Sequence, residues 1–260
     1  MLKGYILVFS YILLISYVLG PIIRRLTNGE TSRKCIHILL FFVWVLMDRY
    51  HKGTVHQILL PTMFIGLNLL SHRFGLCKSI ERTEGNHFGT VYFAIAITVL
   101  LGLAYVFPEF YLPGGVGVMC LTFGDGFAAL IGYNFPSRKI AEHKSLLGFL
   151  SAALASGGAV MVFNRIYAVG LTLPEVLILG LVTAILELTD GGLDNFTIPF
   201  GTALLSWAFL TCTGLSLDLG AAAGAALFLV LFFSGRVSYP RSLAAMAALS
   251  GGVWLIGFLG

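Results

Sequence analysis

Long apolar runs follow one another along this chain, and several approach the length that a helix needs to cross a membrane. They lie near residues 4 to 22, 36 to 48, 54 to 70, 89 to 107, 115 to 135, 147 to 164, 174 to 188, 196 to 213, 219 to 234 and 242 to 259. A helix needs about 20 mostly apolar residues to cross a hydrocarbon core of ~30 Å, so the shorter runs need neighbouring helices to shield their ends. Charged residues make up 11% of the chain, against roughly 25% in soluble domains. The sequence therefore predicts an all-α, polytopic membrane protein with about ten transmembrane helices.

The same pattern predicts a single integral domain over residues 1–260, because there is no internal repeat and no room for a separate soluble domain. The first run resembles a signal peptide, but it is long and reaches Pro21 without a small-residue cleavage site, which favours a first transmembrane helix. Small residues in the stretch AALASGGAV, residues 152 to 160, predict close helix packing. The four cysteines lack the spacing of a metal site.

The basic residues indicate the orientation of the chain. If the N-terminus lies outside, twelve of the 16 Lys and Arg residues fall on one side, which the positive-inside rule makes cytoplasmic. They are Arg24, Arg25, Arg33, Lys34, Arg73, Lys78, Arg82, Arg138, Lys139, Lys144, Arg236 and Arg241. Both termini are then outside, and the net charge of +4 reflects topology and not a nucleic-acid partner. We expect the cell membrane of a prokaryote, with the functional face in the cytoplasm.

Two clusters of polar residues precede apolar runs on the predicted cytoplasmic side. The first, TSRKCIHI, holds Arg33, Lys34 and His37. Helical spacing puts Arg33 or Lys34 on the same face as His37, although basic residues at this depth also serve as membrane anchors. The second, SIERTEGNHFGTVYF, holds Glu84 and His87. A solvated loop explains these charges as well as a site does.

Two further clusters contain acidic groups. In LTFGDGFAALIGYNF, Asp125 lies between glycines in an apolar run, where a carboxylate costs ~2.5 kcal/mol or more and indicates function. A neutral aspartic acid bonded to a neighbouring helix is the structural alternative. In LELTDGGLDNFTIPF, the oxygen donors are Glu187, Asp190, Asp194 and Asn195. Such donors suit Mg²⁺, and a plain acidic turn is the alternative.

Together, acidic groups for a metal and basic groups for phosphates at one membrane face favour phosphoryl or nucleotidyl transfer, which depends on positioning and charge neutralisation. The sequence contains no GxxxxGK[ST] loop, and GDGFAA lacks the preceding strand of a dinucleotide site. Neither a P-loop nor Rossmann-type binding is therefore predicted.

At these residues the chain resembles the membrane-bound lipid-alcohol kinases, which include phytol kinase, dolichol kinase and CTP-dependent diacylglycerol kinases and are distantly akin to phosphatidate cytidylyltransferases. The ordered motifs cover about residues 30 to 205. Asp125, Gly126 and Ala128 match the family's Asp-Gly-x-Ala element. Lys144, Ser145 and Gly148 match its Lys-Ser-x-x-Gly loop. Its glutamate, its Asp-Asn pair and its proline are matched by Glu187, Asp194, Asn195 and Pro199. Ala129 stands where many members have a second acid, and Pro136 where glycine is common.

The resemblance implies CTP as phosphoryl donor, Mg²⁺ as divalent cation and the hydroxyl of a long-chain lipid, such as dolichol, polyprenol, phytol or diacylglycerol, as acceptor. We expect Asp125 and Lys144 to be catalytic, with Asp125 acting as base or metal ligand. The expected metal ligands are Asp125, Glu187, Asp190 and Asp194. The expected nucleotide and phosphate contacts are Arg33, Lys34, His37, Gly124, Gly126, Arg138, Lys139, Ser145 and Asn195, and the loop of Glu84 and His87 is a further candidate.

Two other functions stay open at this point. A cytidylyltransferase would make a CDP-lipid from phosphatidate and release pyrophosphate. An ion-coupled transporter would use its buried acid as a relay, and would distribute acids across the membrane depth or show an inverted repeat. The sequence leaves the choice of lipid alcohol and the presence of a homo-oligomer undetermined.

Overall fold

The computed structural model describes residues 2–74, 89–141, 144–188 and 194–211, together with four residues between 221 and 225. Within these ranges the chain is almost wholly helical and contains no strand. The helices are α1 (Leu2–Leu13), α2 (Gly20–Leu26), α3 (Gly29–Leu39), α4 (Phe41–His51), α5 (His56–Phe74), α6 (Gly89–Val106), α7 (Tyr111–Met119), α8 (Gly126–Asn134), α9 (Leu146–Tyr167), α10 (Leu173–Glu187) and α11 (Asp194–Thr211). The all-α prediction is confirmed for this part of the chain.

Three short segments join helices into longer ones. A π-helical segment, Leu14–Leu19, links α1 to α2, and a second, Cys120–Asp125, links α7 to α8. A 3₁₀ turn, Pro108–Phe110, precedes α7. Two long stretches, Leu2–Leu26 and Pro108–Asn134, are therefore continuous helical rods.

Four helical stretches in the described ranges are long and apolar enough to cross a membrane: Leu2–Leu26, Gly89–Val106, Pro108–Asn134 and Leu146–Tyr167. The protein is therefore a helical membrane protein, but the prediction of ten transmembrane helices is not supported. The run at 36 to 48 is divided between α3 and α4. The runs at 219 to 234 and 242 to 259 lie wholly or almost wholly outside the described residues.

The short length and the burial of α10 show why counting apolar runs overestimates the number of transmembrane helices. The run at 174 to 188 forms α10, whose 15 residues rise by about 22 Å, less than the hydrocarbon thickness. Ten of those residues are buried, because α10 packs between α9 and α11. An apolar run therefore does not distinguish a helix that is buried in protein from a helix that faces lipid.

The core lies where α4, α6, α7, α9 and α11 meet. Its largest fully buried side chains include Trp44, Leu100 and Phe163. Glycines allow the helices to approach here: a Cβ on Gly117 would collide with the carbonyl oxygen of Pro199 in α11. The predicted packing role of residues 152 to 160 is confirmed, since the α9 backbone in this stretch lies directly against α10.

This packing brings several helix ends together. α3 lies against α8, which begins directly after Asp125. The start of α9, the end of α10 and the start of α11 complete the group, and all of these elements border one cavity.

Candidate active site

A cavity of about 780 Å³ lies among these helix ends and is called the charged cavity below. Its charged lining consists of four basic and four acidic side chains: Arg24, Arg33, Lys34, Lys144, Glu30, Asp125, Glu187 and Asp194. Three of the four polar clusters predicted from the sequence contribute to it. The described part of the second cluster borders a smaller cavity alongside.

Asp125 is paired with a lysine from α3. The ammonium of Lys34 donates to both carboxylate oxygens of Asp125 at 2.6 Å, and the two side chains are 4% and 3% exposed. Asp125 closes the π-helical segment Cys120–Asp125, a widened turn of a kind that often occurs at functional sites. The buried carboxylate therefore has a counter-ion within the protein.

Sequence reasoning assigned Asp125 to a metal and Lys34 to phosphates, and it missed their pairing. The two residues are separated by 91 positions, so helical spacing gives no sign of the contact. The signal that existed was an acid within one apolar run and a lysine just before another, since buried charges are generally paired.

A second ion pair lies across the same cavity. The ammonium of Lys144 donates to Oε1 of Glu187 at 2.5 Å, and the lysine side chain is 23% exposed while the glutamate is 4% exposed. Burial disfavours the charged ammonium, but the carboxylates of Glu187 and Asp125 outweigh it, so the pKa of Lys144 is raised. This side chain therefore stays positively charged and borders the cavity.

The loop that carries Lys144 is held by backbone hydrogen bonds. The amide of Leu146 donates to the carbonyl oxygen of Arg138 at 2.8 Å, and the amide of Ile140 donates to that of Lys144 at 2.9 Å. Ser145 caps α9, because its hydroxyl oxygen accepts from the amide of Gly148 at 3.1 Å. The capped helix start fixes Lys144 at the cavity edge.

Arg33 and His37 extend the site along α3. The guanidinium of Arg33 donates to both carboxylate oxygens of Glu30, at 3.2 and 2.5 Å. Nε2 of His37 lies 3.6 Å from Oδ2 of Asp125, and it is buried without a hydrogen-bond partner among the described residues. The ring also makes an edge contact with Phe93.

Several predicted residues lie elsewhere. Arg138 and Lys139 are exposed in the loop and do not border the charged cavity. Gly124 and Gly126 face Thr183 and Ile38, where they let helices approach. His37 and Asn195 border the smaller neighbouring cavity and not the charged one. The predicted candidates Glu84, His87 and Asp190 lie outside the described residues.

The donor set fits a metal ion shared with a nucleotide better than an ion held by protein alone. Among the described residues no group of three or more His, Cys, Asp or Glu side chains is close enough to hold a metal. Asp125, Glu187 and Asp194 nevertheless border one cavity. Mg²⁺ commonly takes one or two carboxylates together with substrate phosphates and water, which these residues can provide.

Comparison with known proteins finds similarity to phytol kinases. The chain is 30% identical to the phytol kinase of Synechocystis sp., over 70% of this chain and 81% of that protein. It is 31% identical to a probable phytol kinase 1, chloroplastic, of Glycine max, over 72% of this chain and 69% of that protein. A probable phytol kinase, chloroplastic, of Triticum aestivum is 28% identical to the chain, over 71% of this chain and 69% of that protein. No protein-family model and no solved structure matches the chain.

Proposed function

Because this chain belongs to the phytol kinase family of lipid-alcohol kinases, we propose that it transfers the terminal phosphate of CTP to the hydroxyl of a long-chain alcohol. Phytol, the substrate in the names of its relatives, is the first acceptor to test, ahead of dolichol, polyprenol and diacylglycerol. CTP as donor rests on the motif resemblance.

The observation that carries the proposal is the convergence of acids and bases on the charged cavity. Phosphoryl transfer needs cations on the transferred group and an acceptor for the hydroxyl proton. Lys34, Asp125, Lys144, Glu187 and Asp194 supply both kinds of group within one cavity. The cavity is also large enough for a nucleotide-sized ligand, since ligand pockets commonly span ~300 to 1,000 Å³.

The basic side chains bind the triphosphate. Lys144 and Arg33 border the cavity while paired with Glu187 and Glu30, so phosphate oxygens compete with these carboxylates for the same donors. Lysine and arginine both bind phosphate well, arginine in bidentate fashion. Binding of the nucleotide would therefore exchange protein carboxylates for phosphates around each cation.

Asp125 accepts the proton of the alcohol. Its carboxylate is oriented by two hydrogen bonds from Lys34. As the hydroxyl proton passes to Asp125, the alcohol oxygen forms a bond to the terminal phosphorus, and the bond from that phosphorus to the bridging oxygen breaks. CDP leaves with the electron pair, and the phosphorylated alcohol remains in the membrane.

Mg²⁺, when bound with the nucleotide, would neutralise charge that develops between the second and third phosphates. Asp194 and Glu187 are its first candidate ligands. Asp194 lies at the start of α11, where its side chain also accepts from the amide of Asn195 at 2.9 Å. That bond orients a carboxylate towards the cavity that it borders.

We place the reaction at the cytoplasmic face of the membrane. The support is the distribution of the basic residues, twelve of 16 of which fall on one predicted side. The charged cavity is bordered by Arg24, Arg33, Lys34 and Lys144, all of which belong to that side. A cytosolic nucleotide would then reach the cavity without crossing the membrane.

The purified protein in detergent, incubated with Mg²⁺, an alcohol and either CTP or ATP, tests the proposal. We expect phosphorylated alcohol and CDP with CTP, and faster turnover with phytol than with diacylglycerol. A strong preference for ATP would overturn the donor assignment alone. Pyrophosphate and a CDP-lipid from phosphatidate would identify a cytidylyltransferase instead, and no product with any alcohol would overturn the kinase proposal.

A further inference from the structure

A second cavity, of about 110 Å³, lies directly beside the charged one and is called the apolar cavity below. It is enclosed by faces of α1, α3, α4, α5 and α6. Arg33 borders both cavities, so they meet at this side chain. Neither the family resemblance nor the proposed chemistry assigns it a role.

The walls of the apolar cavity change from polar to apolar along its length. On α6 the lining residues run from Thr90 to Leu101, a rise of about 16 Å. α5 runs antiparallel to it, because Asn68 donates to the carbonyl oxygen of Thr90 at 3.0 Å and Gln57 donates to that of Leu101 at 2.8 Å. Asn68 and Asn195 line the cavity beside Gly89 and Thr90, so this end is polar.

The polar end adjoins the ion pair of the active site. His37 lines the apolar cavity, while its Nε2 lies 3.6 Å from Asp125 and is buried with no hydrogen-bond partner in the described ranges. Asn195 also lines this end, next to Asp194 of the charged cavity. A hydroxyl placed here would have a donor or acceptor on His37 and a carboxylate nearby.

The far end is lined mainly by apolar side chains. Trp44, Met47, Leu60 and Leu101 line it and are at most 2% exposed. Such walls exclude water and favour an apolar ligand. Phe64 and Phe93 line the cavity and are partly exposed, so this wall of the cavity lies near the surface of the protein.

We propose that the apolar cavity holds the hydrocarbon chain of the acceptor alcohol, with the hydroxyl between His37 and Asp125. The proposal rests on the proposed kinase function and adds where the acceptor lies. One amphiphile then spans the junction of the two cavities, with its hydroxyl facing the phosphates and its chain along α5 and α6. His37 acts as a positioning residue that hydrogen-bonds the hydroxyl.

Narrowing the cavity should weaken binding of the acceptor alcohol and not of the nucleotide. Ala94 lines the apolar cavity and is 5% exposed, so Ala94→Phe fills space that the chain would occupy. Val99 lies on another face of the same helix and is 40% exposed, so Val99→Phe adds a similar side chain outside the cavity. We expect Ala94→Phe to raise the KM for phytol about tenfold or more, the scale of discrimination in hydrophobic pockets.

The same variant should leave the KM for CTP nearly unchanged, and Val99→Phe should behave as the unmodified protein. Equal KM values for phytol in both variants would overturn the assignment of this cavity. Because wild-type turnover is measured alongside, that result is distinct from failure of the kinase proposal, in which the wild type would phosphorylate no alcohol.

Photocrosslinking of the unmodified full chain gives a test independent of any substitution. The probe is a long-chain isoprenoid alcohol with a diazirine near its methyl end, and peptides are mapped by mass spectrometry. We expect crosslinks at the far end of the cavity, at Met47, Leu60 or Leu101, that excess phytol removes. Crosslinks confined to lipid-facing side chains, unaffected by phytol, would place the acceptor elsewhere.

Discussion

At the scale of single residues, the site consists of charges that the protein already neutralises. Lys34 and Asp125 form a buried pair, and Lys144 and Glu187 form a partly buried one. A buried pair is weak as a source of stability, but removing one partner leaves an uncompensated charge. Stability and catalysis must therefore be measured separately at each of these positions.

Asp125→Asn removes the carboxylate charge and keeps the size of the side chain. We expect turnover to fall at least ~100-fold, the scale of losing an essential base or electrostatic group. The variant should also lose about 3–5 kcal/mol of stability, because the Lys34 ammonium loses its counter-ion. Phosphorylation assays and thermal unfolding in detergent measure the two effects.

The double variant Lys34→Met with Asp125→Asn separates the loss of turnover from the loss of stability. Removing both charges should restore most of the unfolding temperature, since no buried ion is left unpaired, while turnover should stay low. If the single Asn variant folded and retained near-normal turnover at saturating substrates, Asp125 would be a structural residue and the proposed base would be wrong.

Lys144→Met tests the phosphate contact. Lys144 borders the charged cavity, so its loss should raise the KM for CTP about tenfold or more, with a smaller effect on the KM for the alcohol. Lys139→Met is the matched control in the same loop, because Lys139 is exposed and lies outside the cavity lining. Equal effects of the two substitutions would indicate general electrostatics of the loop and not a phosphate contact.

At the scale of helices, close backbone approach fixes where the site residues lie. Gly180 of α10 faces α9 so closely that a Cβ there would lie 2.6 Å from the carbonyl oxygen of Ala153. The end of α10 carries Glu187, and the start of α9 follows Lys144. The spacing of these two helices therefore controls the distance between the partners of the second ion pair.

Gly180→Ala should push α9 and α10 apart and lower stability by about 1–3 kcal/mol, the usual cost of overpacking. Gly158→Ala is the control, since a Cβ at Gly158 meets nothing within 4 Å. We expect a lower unfolding temperature for the first variant and little change for the second. Similar unfolding temperatures for both would mean that α9 and α10 can separate without cost.

The sequence predicted helices and their polar ends well, because apolar periodicity and isolated charges are local signals. Asp125, Glu187 and Asp194 were chosen from such signals and Lys144 from the motif resemblance, and the structure brings all four to one cavity. Tertiary partners were not predictable in this way: the Lys34–Asp125 pair joins distant segments, and Lys139 resembled Lys144 until the loop conformation separated them. The length of an apolar run likewise could not distinguish α10 from a transmembrane helix.

At the scale of the whole molecule, orientation decides which nucleotide pool the site meets. Cys35 lies in α3 beside Lys34 and is partly exposed, on the side that the positive-inside rule makes cytoplasmic. The described residues also include Cys120, which is buried. The positive-inside rule predicts the same side for Cys77, which lies outside the described residues.

A variant that keeps Cys35 and replaces Cys77, Cys120 and Cys212 by serine tests this orientation in sealed right-side-out vesicles. We expect a membrane-impermeant maleimide to label Cys35 after permeabilisation and not before it. Labelling of intact vesicles would place the charged cavity on the outer face and overturn the proposed access from the cytoplasm.

The equal number of basic and acidic side chains around the charged cavity has a kinetic consequence. Four positive and four negative groups cancel at a distance, so the lining itself exerts little long-range attraction on an approaching polyanion. Enzymes that steer charged ligands bind them more slowly as ionic strength rises. Here the lining itself should contribute little to the salt dependence of CTP association, because its cations become available to phosphate when they part from their carboxylates.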